Sequence, residues 1–167
     1  CHELAAAYLM GRNLQTASNG VPIDDEMRDA AELYRSTVKA RAEGPIAIED
    51  RVTISTVHPE CFGTVDAWNF HAGTLRIWDL KYGFGHVDAF ENWQLLTYAC
   101  GLADGKPVQR VELCIVQPRS YHRDGPVRRW SLSADELRSK YLPQIQTAAA
   151  LAMQESTDPV LRTGRSC

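Results

Sequence analysis

The sequence lacks any long hydrophobic run and any strong excess of charge of one sign. None of its apolar stretches approaches the roughly 18 residues that a membrane-spanning helix needs, and no secretory signal pattern opens the chain. These absences predict a soluble protein of the cytoplasm with no membrane partner. A net charge of −3 on 167 residues also argues against a protein that coats nucleic acid with a broad basic surface.

The chain also lacks a cysteine pattern typical of disulfide scaffolds. Its five cysteines are an odd number at irregular spacing: Cys1, Cys61, Cys100, Cys114 and Cys167. No internal repeat or low-complexity tract divides the chain, so we expect a single domain over residues 1–167. Because the sequence starts at a cysteine rather than a methionine, we expect it to be a trimmed fragment of a longer protein.

The spacing of apolar residues changes along the chain and predicts an α/β domain. Helical spacing covers 2–17 and then 24–42, where Asp24 is a candidate helix cap. Period-two spacing with β-branched residues predicts strands at 46–57, 62–70, 74–82, 108–117 and 127–132. A helix capped by Asp88 is expected at about 89–102. Ser133 begins a capping box for a final helix, with Pro143 as its expected break and a loop after Ser156.

Two of the predicted strands form a hairpin that carries charged residues. Ala72-Gly73 suits a two-residue turn, since glycine adopts positive φ at little cost. If this dipeptide is the turn, the register places Asp66 directly opposite Asp79, and opposite residues share a face of the sheet. Lys81 would lie on the same face as Asp79 because side chains alternate along a strand.

Facing carboxylates repel each other, and a cation between them removes that repulsion. Mg²⁺ takes carboxylate oxygens, water and phosphate oxygens as ligands, and such an ion activates water for attack on a phosphodiester. Lys81 would then orient the water or neutralise charge that develops on the phosphate. The alternative is a surface hairpin in which Asp79 and Lys81 are solvated.

Four motifs in order extend this pattern: His2-Glu3-Leu4-Ala5, Gly63-Thr64-Val65-Asp66, Trp78-Asp79-Leu80-Lys81-Tyr82-Gly83 and Gln94-x-x-x-Tyr98. The set resembles the PD-(D/E)XK nuclease superfamily, and within it the RecB-like exonuclease branch, where a Q-x-x-x-Y helix follows the D-x-K strand. Val116-Gln117-Pro118-Arg119 and Asn92-x-Gln94 are similar to a phage- and prophage-associated group of that branch. The resemblance covers residues 2–167 and implies a restriction-endonuclease-like core, with a central mixed β-sheet flanked by helices.

The resemblance implies a metal site and a catalytic lysine. Asp66 and Asp79 would ligate Mg²⁺ or Mn²⁺, with His2 as an imidazole ligand and the backbone carbonyl of Leu80 as a further one. Lys81 would be the catalytic lysine. The alternative for His2 is a frayed chain end.

Further residues would contact the substrate. Gln94 and Tyr98, one helical turn apart, would face the scissile bond, and the alternative is an ordinary helix with a buried tyrosine hydroxyl. Glu49 either reaches the same patch or is a solvated edge residue, which the pattern favours slightly. The only basic concentration would either bind DNA phosphates or belong to a solvated face: Arg119, Arg123, Arg128 and Arg129.

Many RecB-like nucleases hold an iron–sulfur cluster through one upstream cysteine and three near the C-terminus. Cys167 resembles the first of that C-terminal set, whereas Cys1 adjoins the motif histidine instead of lying upstream of it. Four cysteine ligands are therefore not assembled in this sequence. We expect a cluster only in a longer parent protein.

The sequence therefore predicts a Mg²⁺- or Mn²⁺-dependent DNA exonuclease of recombination, repair or phage DNA processing. Its partner would be DNA and its location the cytoplasm of a bacterium or a phage-infected host cell, with no protein partner predicted. One alternative is a catalytically inactive nucleic-acid-binding or assembly module with the same fold. Another, a hydrolase of a different phosphate ester, is disfavoured by the Q-x-x-x-Y helix.

Overall fold

The computed structural model of the chain describes residues 1–157, with side chains described as far as Gln154. Its strands are β1 (Ala47–Thr53), β2 (Phe62–His71), β3 (Thr74–Leu80), β4 (Arg110–Val116) and β5 (Val127–Ser133). Its helices are α1 (His2–Leu9), α2 (Asp25–Lys39), α3 (Trp93–Leu102), α4 (Ala134–Glu136), a π-helical turn (Leu137–Tyr141) and α5 (Leu142–Thr157). None of these helices is long and apolar enough to cross a membrane.

The five strands form one mixed sheet in the order β1-β2-β3-β4-β5. Neighbours are antiparallel except β3 and β4, which run parallel. A parallel pair needs a long crossover, and α3 lies within that connection. The predicted α/β fold, a central mixed sheet flanked by helices, is confirmed and is consistent with a restriction-endonuclease-like core.

Alternating residues of β3 and β4 divide the hydrophobic core between the two faces of the sheet. On one face, Leu75 and Ile77 pack with residues of α3, the π-helical turn and α5. On the other, Trp78 and Leu80 pack with residues of α1 and α2, and the Tyr34 hydroxyl donates to the Trp78 carbonyl at 3.1 Å. Burial on both faces explains the continuous apolar run at 113–116 in β4.

The alternation of side chains is interrupted in β2. Val65 packs into the core beneath α3, whereas Ala67, two residues later, packs into the core beneath α1 and α2. A regular strand would put both on the same face. Glu49, which lies opposite Asp66 in the β1–β2 register, has φ of +49°, a left-handed conformation that is uncommon outside glycine. The irregularity therefore involves both strands at the level of Asp66.

Two predicted helix boundaries were wrong. Helix α1 ends at Leu9 rather than 17, and Gly11 follows it with φ of +72°. The misleading signal was Leu14, which packs against the core from a loop rather than from a helix. Asp88 does not cap α3; the Asn92 side chain does, by accepting a hydrogen bond from the Leu95 N–H at 3.1 Å.

The predicted N-terminal cap of the last helical segment is confirmed, but its predicted break is wrong. The Ser133 side chain accepts a hydrogen bond from the Glu136 N–H at 3.0 Å. The helix does not break at Pro143. A π-helical turn, which contains one extra residue, precedes this proline, and the helix continues to Thr157. Thr157 still belongs to this helix, and the rest of the loop expected after Ser156 lies outside the described residues.

Candidate functional site

Lys81, the first residue after β3, connects Asp79 to helix α3. Its Nζ lies 2.9 Å from Asp79 Oδ2 and 3.1 Å from Oδ1, and it donates to Gln94 Oε1 at 2.8 Å. Gln94 Nε2 in turn donates to the Tyr98 hydroxyl at 3.1 Å, since residues four apart share a helix face. The four residues predicted to be catalytic on β3 and α3 therefore form one chain of hydrogen bonds.

The cap of α3 determines which way Gln94 and Tyr98 point. Asn92 accepts from the Leu95 N–H and donates through Nδ2 to the Asp88 carbonyl at 3.0 Å, so it joins the helix to the preceding loop. Leu95 has no exposed surface and anchors the opposite side of the helix in the core. Gln94 and Tyr98 are thereby turned toward the end of β3.

Asp66 and His2 form the second half of the candidate site. Asp66 Oδ2 accepts a hydrogen bond from the Leu80 N–H at 2.8 Å and lies 3.2 Å from His2 Nδ1. His2 belongs to the first turn of α1, whose Leu4 is buried against the sheet. The contact with Asp66 raises the pKa of His2, and the negative charge of Asp79 acts in the same direction, while burial opposes both. His2 is thus held beside Asp66 rather than frayed.

The predicted hairpin register is confirmed as far as Ala67, which pairs with Trp78, and its continuation puts Asp66 opposite Asp79. The side chains of Asp66 and Asp79 do not share one face of the sheet in the regular way that was predicted, however. Asp66 lines a crevice beneath α1 and α2 with Tyr34, whereas Asp79 points with Lys81 toward α3. The interruption in β2 explains the difference, because it turns the Asp66 side chain toward α1.

Asp79 is a buried carboxylate, with 3% of its surface exposed. Burial raises its pKa and the charge of Asp66 adds to the rise, whereas the hydrogen bond from Lys81 opposes it. Its Oδ2 has no properly directed hydrogen bond among the described residues, although Lys81 Nζ lies 2.9 Å away. The two observations agree if the ammonium group meets Oδ2 by charge alone and its directed hydrogen bond goes to Oδ1.

Glu49 lies nearer the site than the sequence pattern suggested. It lines the same crevice as His2 and Asp66. Although the residue as a whole is classed as exposed, partial burial of its carboxyl raises its pKa, and the charge of Asp66 raises it further. No periodic signal in the sequence could have revealed this, because the position depends on the left-handed backbone at Glu49.

The donor set has the chemistry that a divalent cation requires, but the donors are not assembled around one point. Within residues 1–157, no three His, Cys, Asp or Glu side chains are arranged to hold a metal ion as they stand. Asp79 is turned toward Lys81, and Asp66 toward the Leu80 N–H. Two carboxylates and an imidazole are suitable ligands, and the unsatisfied Asp79 Oδ2 is a buried oxygen without a directed donor. Cation binding would require modest rotation of these side chains.

The loop that follows Lys81 is held by Gln117, which has no exposed surface. Its Nε2 donates to the carbonyls of Gly83 at 2.9 Å and Gly85 at 2.6 Å. Its Oε1 accepts from the Val87 N–H at 3.0 Å and from Arg128. A glutamine side chain offers two donors and two acceptor positions, and all four are used here. The sequence signalled Gln117 only as part of a motif, without indicating what it does.

The arginines expected to bind DNA do not form one basic patch. Arg128 is buried, and its guanidinium donates to the carbonyls of Val87 and Gly125 as well as to Gln117. Each of its three nitrogens donates within the protein, and its burial disfavours the predicted phosphate binding by this residue. Arg123 is highly exposed and pairs with Asp124.

Arg119 lies beside two aromatic side chains of the segment that follows Lys81. Its guanidinium stacks over the rings of Tyr82 and Phe84, with centroid distances of 4.6 and 4.0 Å, and its Nε lies 3.0 Å from Glu26 Oε1. Arg119 thus contacts the segment that follows Lys81 through its aromatic side chains, whereas Arg128 contacts it through the Val87 carbonyl. Arg129 lies elsewhere and lines a separate cavity.

The described cysteines do not suggest a cluster. Cys1, Cys61, Cys100 and Cys114 are free thiols, and Cys167 lies outside the described residues. Burial raises the pKa of the Cys100 thiol to about 12 and that of Cys114 to about 11. These two are core residues.

A family model described as "Protein of unknown function (DUF2800)" matches residues 2–167, and the chain belongs to this family. The match covers almost the whole chain, including every element around the candidate site. Because the description states no activity, a function must be inferred from the residues of the site.

Proposed function

We propose that this member of the DUF2800 family is a metal-dependent DNA nuclease of the RecB-like branch of the PD-(D/E)XK superfamily, acting as an exonuclease. The observation that carries the proposal is the chain of hydrogen bonds from Asp79 through Lys81 and Gln94 to Tyr98. A strand end and a helix separated in sequence contribute these residues. Solvated surface side chains have no reason to converge in this way, which argues against an ordinary hairpin.

The residues would divide the work of phosphodiester hydrolysis. Asp66, Asp79 and His2 would hold Mg²⁺ or Mn²⁺ with the carbonyl of Leu80, and the bound cation would polarise the phosphate and activate water. Lys81 would leave its ion pair with Asp79 and neutralise charge developing on the phosphate, or orient the attacking water. In the net reaction the water oxygen would bond to phosphorus as the bond from phosphorus to the sugar oxygen breaks, and the proton lost by the water would balance the one gained by the leaving sugar oxygen.

Gln94 and Tyr98 would keep the lysine in position. Gln94 Oε1 accepts from Lys81 Nζ, so the ammonium group has a neutral partner in addition to Asp79. The hydroxyl of Tyr98 fixes the amide of Gln94 in the orientation that presents its oxygen to the lysine. Such pre-organisation matters because misplacement of a catalytic group by about 1 Å can cost about 100-fold in rate.

Exposed aromatic side chains support DNA as the substrate. Phe84 is 66% exposed, Phe90 58% and Trp93 48%, and these residues flank Lys81 and Gln94 in the sequence. Aromatic side chains stack on nucleic acid bases without regard to sequence. The guanidinium of Arg119 stacks on Phe84 and pairs with Glu26. A role in recombination, repair or phage DNA processing in the cytoplasm belongs to the same proposal.

The test is degradation of end-labelled linear single- and double-stranded DNA by the full-length protein, with Mn²⁺, with Mg²⁺ and with a chelator. We expect metal-dependent release of short products from linear DNA and no cleavage of circular DNA. Asp79→Asn and Lys81→Met should abolish the reaction while the proteins keep the wild-type circular dichroism spectrum. Lys39→Met is the matched control, because Lys39 is exposed and far along the chain from the site.

Two outcomes contradict the proposal. One is a wild-type protein that leaves every DNA substrate intact with either metal. The other is a Lys81→Met variant that cleaves as well as the wild type. DNA binding without cleavage and without Mn²⁺ uptake would favour the inactive binding module.

A further inference from the structure

A separate cavity of about 330 Å³ lies on the α2 side of the sheet, lined by residues of β3, β4 and β5. Four guanidinium groups surround it: Arg41, Arg76, Arg110 and Arg129. Arg76 precedes Asp79 by three positions along β3, so its side chain lies on the opposite face of the sheet from Asp79 and Lys81. The cavity is therefore distinct from the candidate nuclease site.

The four arginines around the cavity outnumber the carboxylates that pair with them. Glu112 lies at the centre, with its Oε2 3.0 Å from Arg41 Nη2 and 3.1 Å from Arg76 Nε, and its Oε1 3.5 Å from Arg110 Nε. Glu43 contributes a second carboxylate, 3.4 Å from Arg76 Nη2. Burial acts to raise the pKa of Glu112, but Arg41 and Arg76 outweigh it and hold that pKa below its ordinary value. Four cations facing two anions leave an excess of two positive charges.

Two of the arginines still have donors to offer. Arg76 Nη1 is buried without a hydrogen-bond acceptor, on a side chain that is only 11% exposed. A buried donor of a charged group that lacks a partner is costly, so an acceptor is expected there. Arg129 has no carboxylate partner in the part of the chain that the structure describes, although its three neighbours in the cavity all have one.

We propose that this cavity binds the phosphomonoester group of a small ligand. Such a group carries a charge of about −1.5 to −2 near neutral pH and offers three strong acceptor oxygens, which matches the excess charge and the unmet donors. Guanidinium groups suit it because they bind phosphate through paired hydrogen bonds. A cavity of about 330 Å³ holds more than a phosphate ion, and its size falls within the usual range for small-molecule sites.

We expect the fold to tolerate the arginine substitutions that test the cavity. Arg129 is on the exposed face of β5, and Arg110 lies 2.7 Å from Ser131 at the rim, so changes at either should leave the core intact. Arg35→Gln serves as the matched control, since it removes one guanidinium from an exposed ion pair with Glu32 on α2. The neutral amide of glutamine keeps a polar side chain at each position.

The experiment is titration calorimetry of the full-length protein with inorganic phosphate and, separately, with adenosine 5′-monophosphate, in the presence of a chelator. We expect saturable binding of at least one probe, weakened about tenfold or more in Arg129→Gln and Arg110→Gln and unchanged in Arg35→Gln. Tighter binding of the nucleotide would support the phosphomonoester ligand, whereas equal or weaker binding of the nucleotide would overturn it in favour of free phosphate. The proposal fails if neither probe binds the wild type, or if both cavity variants bind as the wild type does.

This inference does not depend on the proposed nuclease function. Asp79→Asn with Lys81→Met removes the candidate active site on the other face, so phosphate binding should persist in that double variant. If binding disappears there and survives in Arg129→Gln, the phosphate occupies the nuclease site and the cavity assignment is wrong. DNA degradation by the wild type is measured separately and is decided by its own controls.

Discussion

Gly63 lies against the ring of Tyr98, so closely that a β-carbon on Gly63 would stand 2.4 Å from Tyr98 Cε1. The backbone of β2 and the tyrosine of α3 thus touch at the point where the hydrogen-bonded chain from Lys81 ends. This contact explains why a glycine precedes Asp66 in the Gly63-Thr64-Val65-Asp66 motif. Its role there is close approach, since its φ is not in the left-handed region.

Gly63→Ala should therefore displace Tyr98 and break its hydrogen bond with Gln94. We expect a loss of about 1–3 kcal/mol in the free energy of unfolding, typical of overpacking, and a larger proportional loss of nuclease activity. Urea denaturation and the DNA degradation assay measure the two effects. Combining the change with Tyr98→Ala should cost less than the sum of the single changes, because the clash is then removed. Additive losses would show that the contact is not the cause.

Glu49→Gln should weaken Mn²⁺ binding, because the carboxylate lies in the crevice with His2 and Asp66. We expect a loss of about tenfold in affinity, as for groups that support a metal ligand, measured by calorimetry. Asp50→Asn is the control, since Asp50 is the next residue and its Oδ2 is bonded to Trp68 Nε1 at 2.9 Å on the other face. Equal effects of the two substitutions would reduce the role of Glu49 to general negative charge.

The features predicted correctly from sequence are those that depend on local chemistry. The Ala72-Gly73 turn adopts positive φ at both residues, and this local geometry predicts the register that pairs His71 with Thr74 and Ala67 with Trp78. The spacing of Gln94 and Tyr98 likewise predicts a shared helix face. In each case a few neighbouring residues suffice.

The features that sequence could not predict depend on distant partners. Glu49 adopts positive φ without being glycine, and the resulting change of side-chain direction around Asp66 has no local signature. Arg128 resembles a surface arginine in sequence, yet its guanidinium is buried. There it donates hydrogen bonds to the carbonyls of Val87 and Gly125. Such burial is visible only once the loops have folded against β5.

Glu91→Gln should destabilise the protein at neutral pH and have little effect in acid. Glu91 Oε1 accepts hydrogen bonds from Lys140 at 3.1 Å and from the Tyr141 hydroxyl at 2.9 Å, and these contacts hold its pKa below the ordinary 4.5. A depressed pKa means that the ionised form stabilises the fold. That contribution is complete above pH 4.5 and is lost as the pH falls through the lower, folded-state value.

Urea denaturation of this variant and the wild type across a pH series measures the difference. Glu60→Gln is the control, because the Glu60 side chain makes no ion pair with any residue in the range 1–157. A difference in unfolding free energy that stays constant from pH 7 down to pH 3 would contradict the assignment. So would an equal effect in the control.

Gln117→Leu should loosen the loop that follows the catalytic lysine. Leucine fills much of the same volume but satisfies none of the four hydrogen bonds that Gln117 makes to Gly83, Gly85, Val87 and Arg128. Because the Arg128 guanidinium is buried and would lose one of its acceptors, we expect the free energy of unfolding to fall by about 1–3 kcal/mol. Amide hydrogen exchange over 83–87 should accelerate, since opening that segment would break fewer bonds.

Activity and exchange together distinguish a positioning role for Gln117 from a purely structural one. If Gln117 acts through the loop, the variant should lose DNA degradation at temperatures where it remains folded, while the rest of the sheet keeps its protection. Gln144→Leu is the matched control, because that exposed side chain makes one hydrogen bond to the Lys140 carbonyl on a helix surface. Uniformly faster exchange throughout the sheet would show instead that Gln117 stabilises the whole fold.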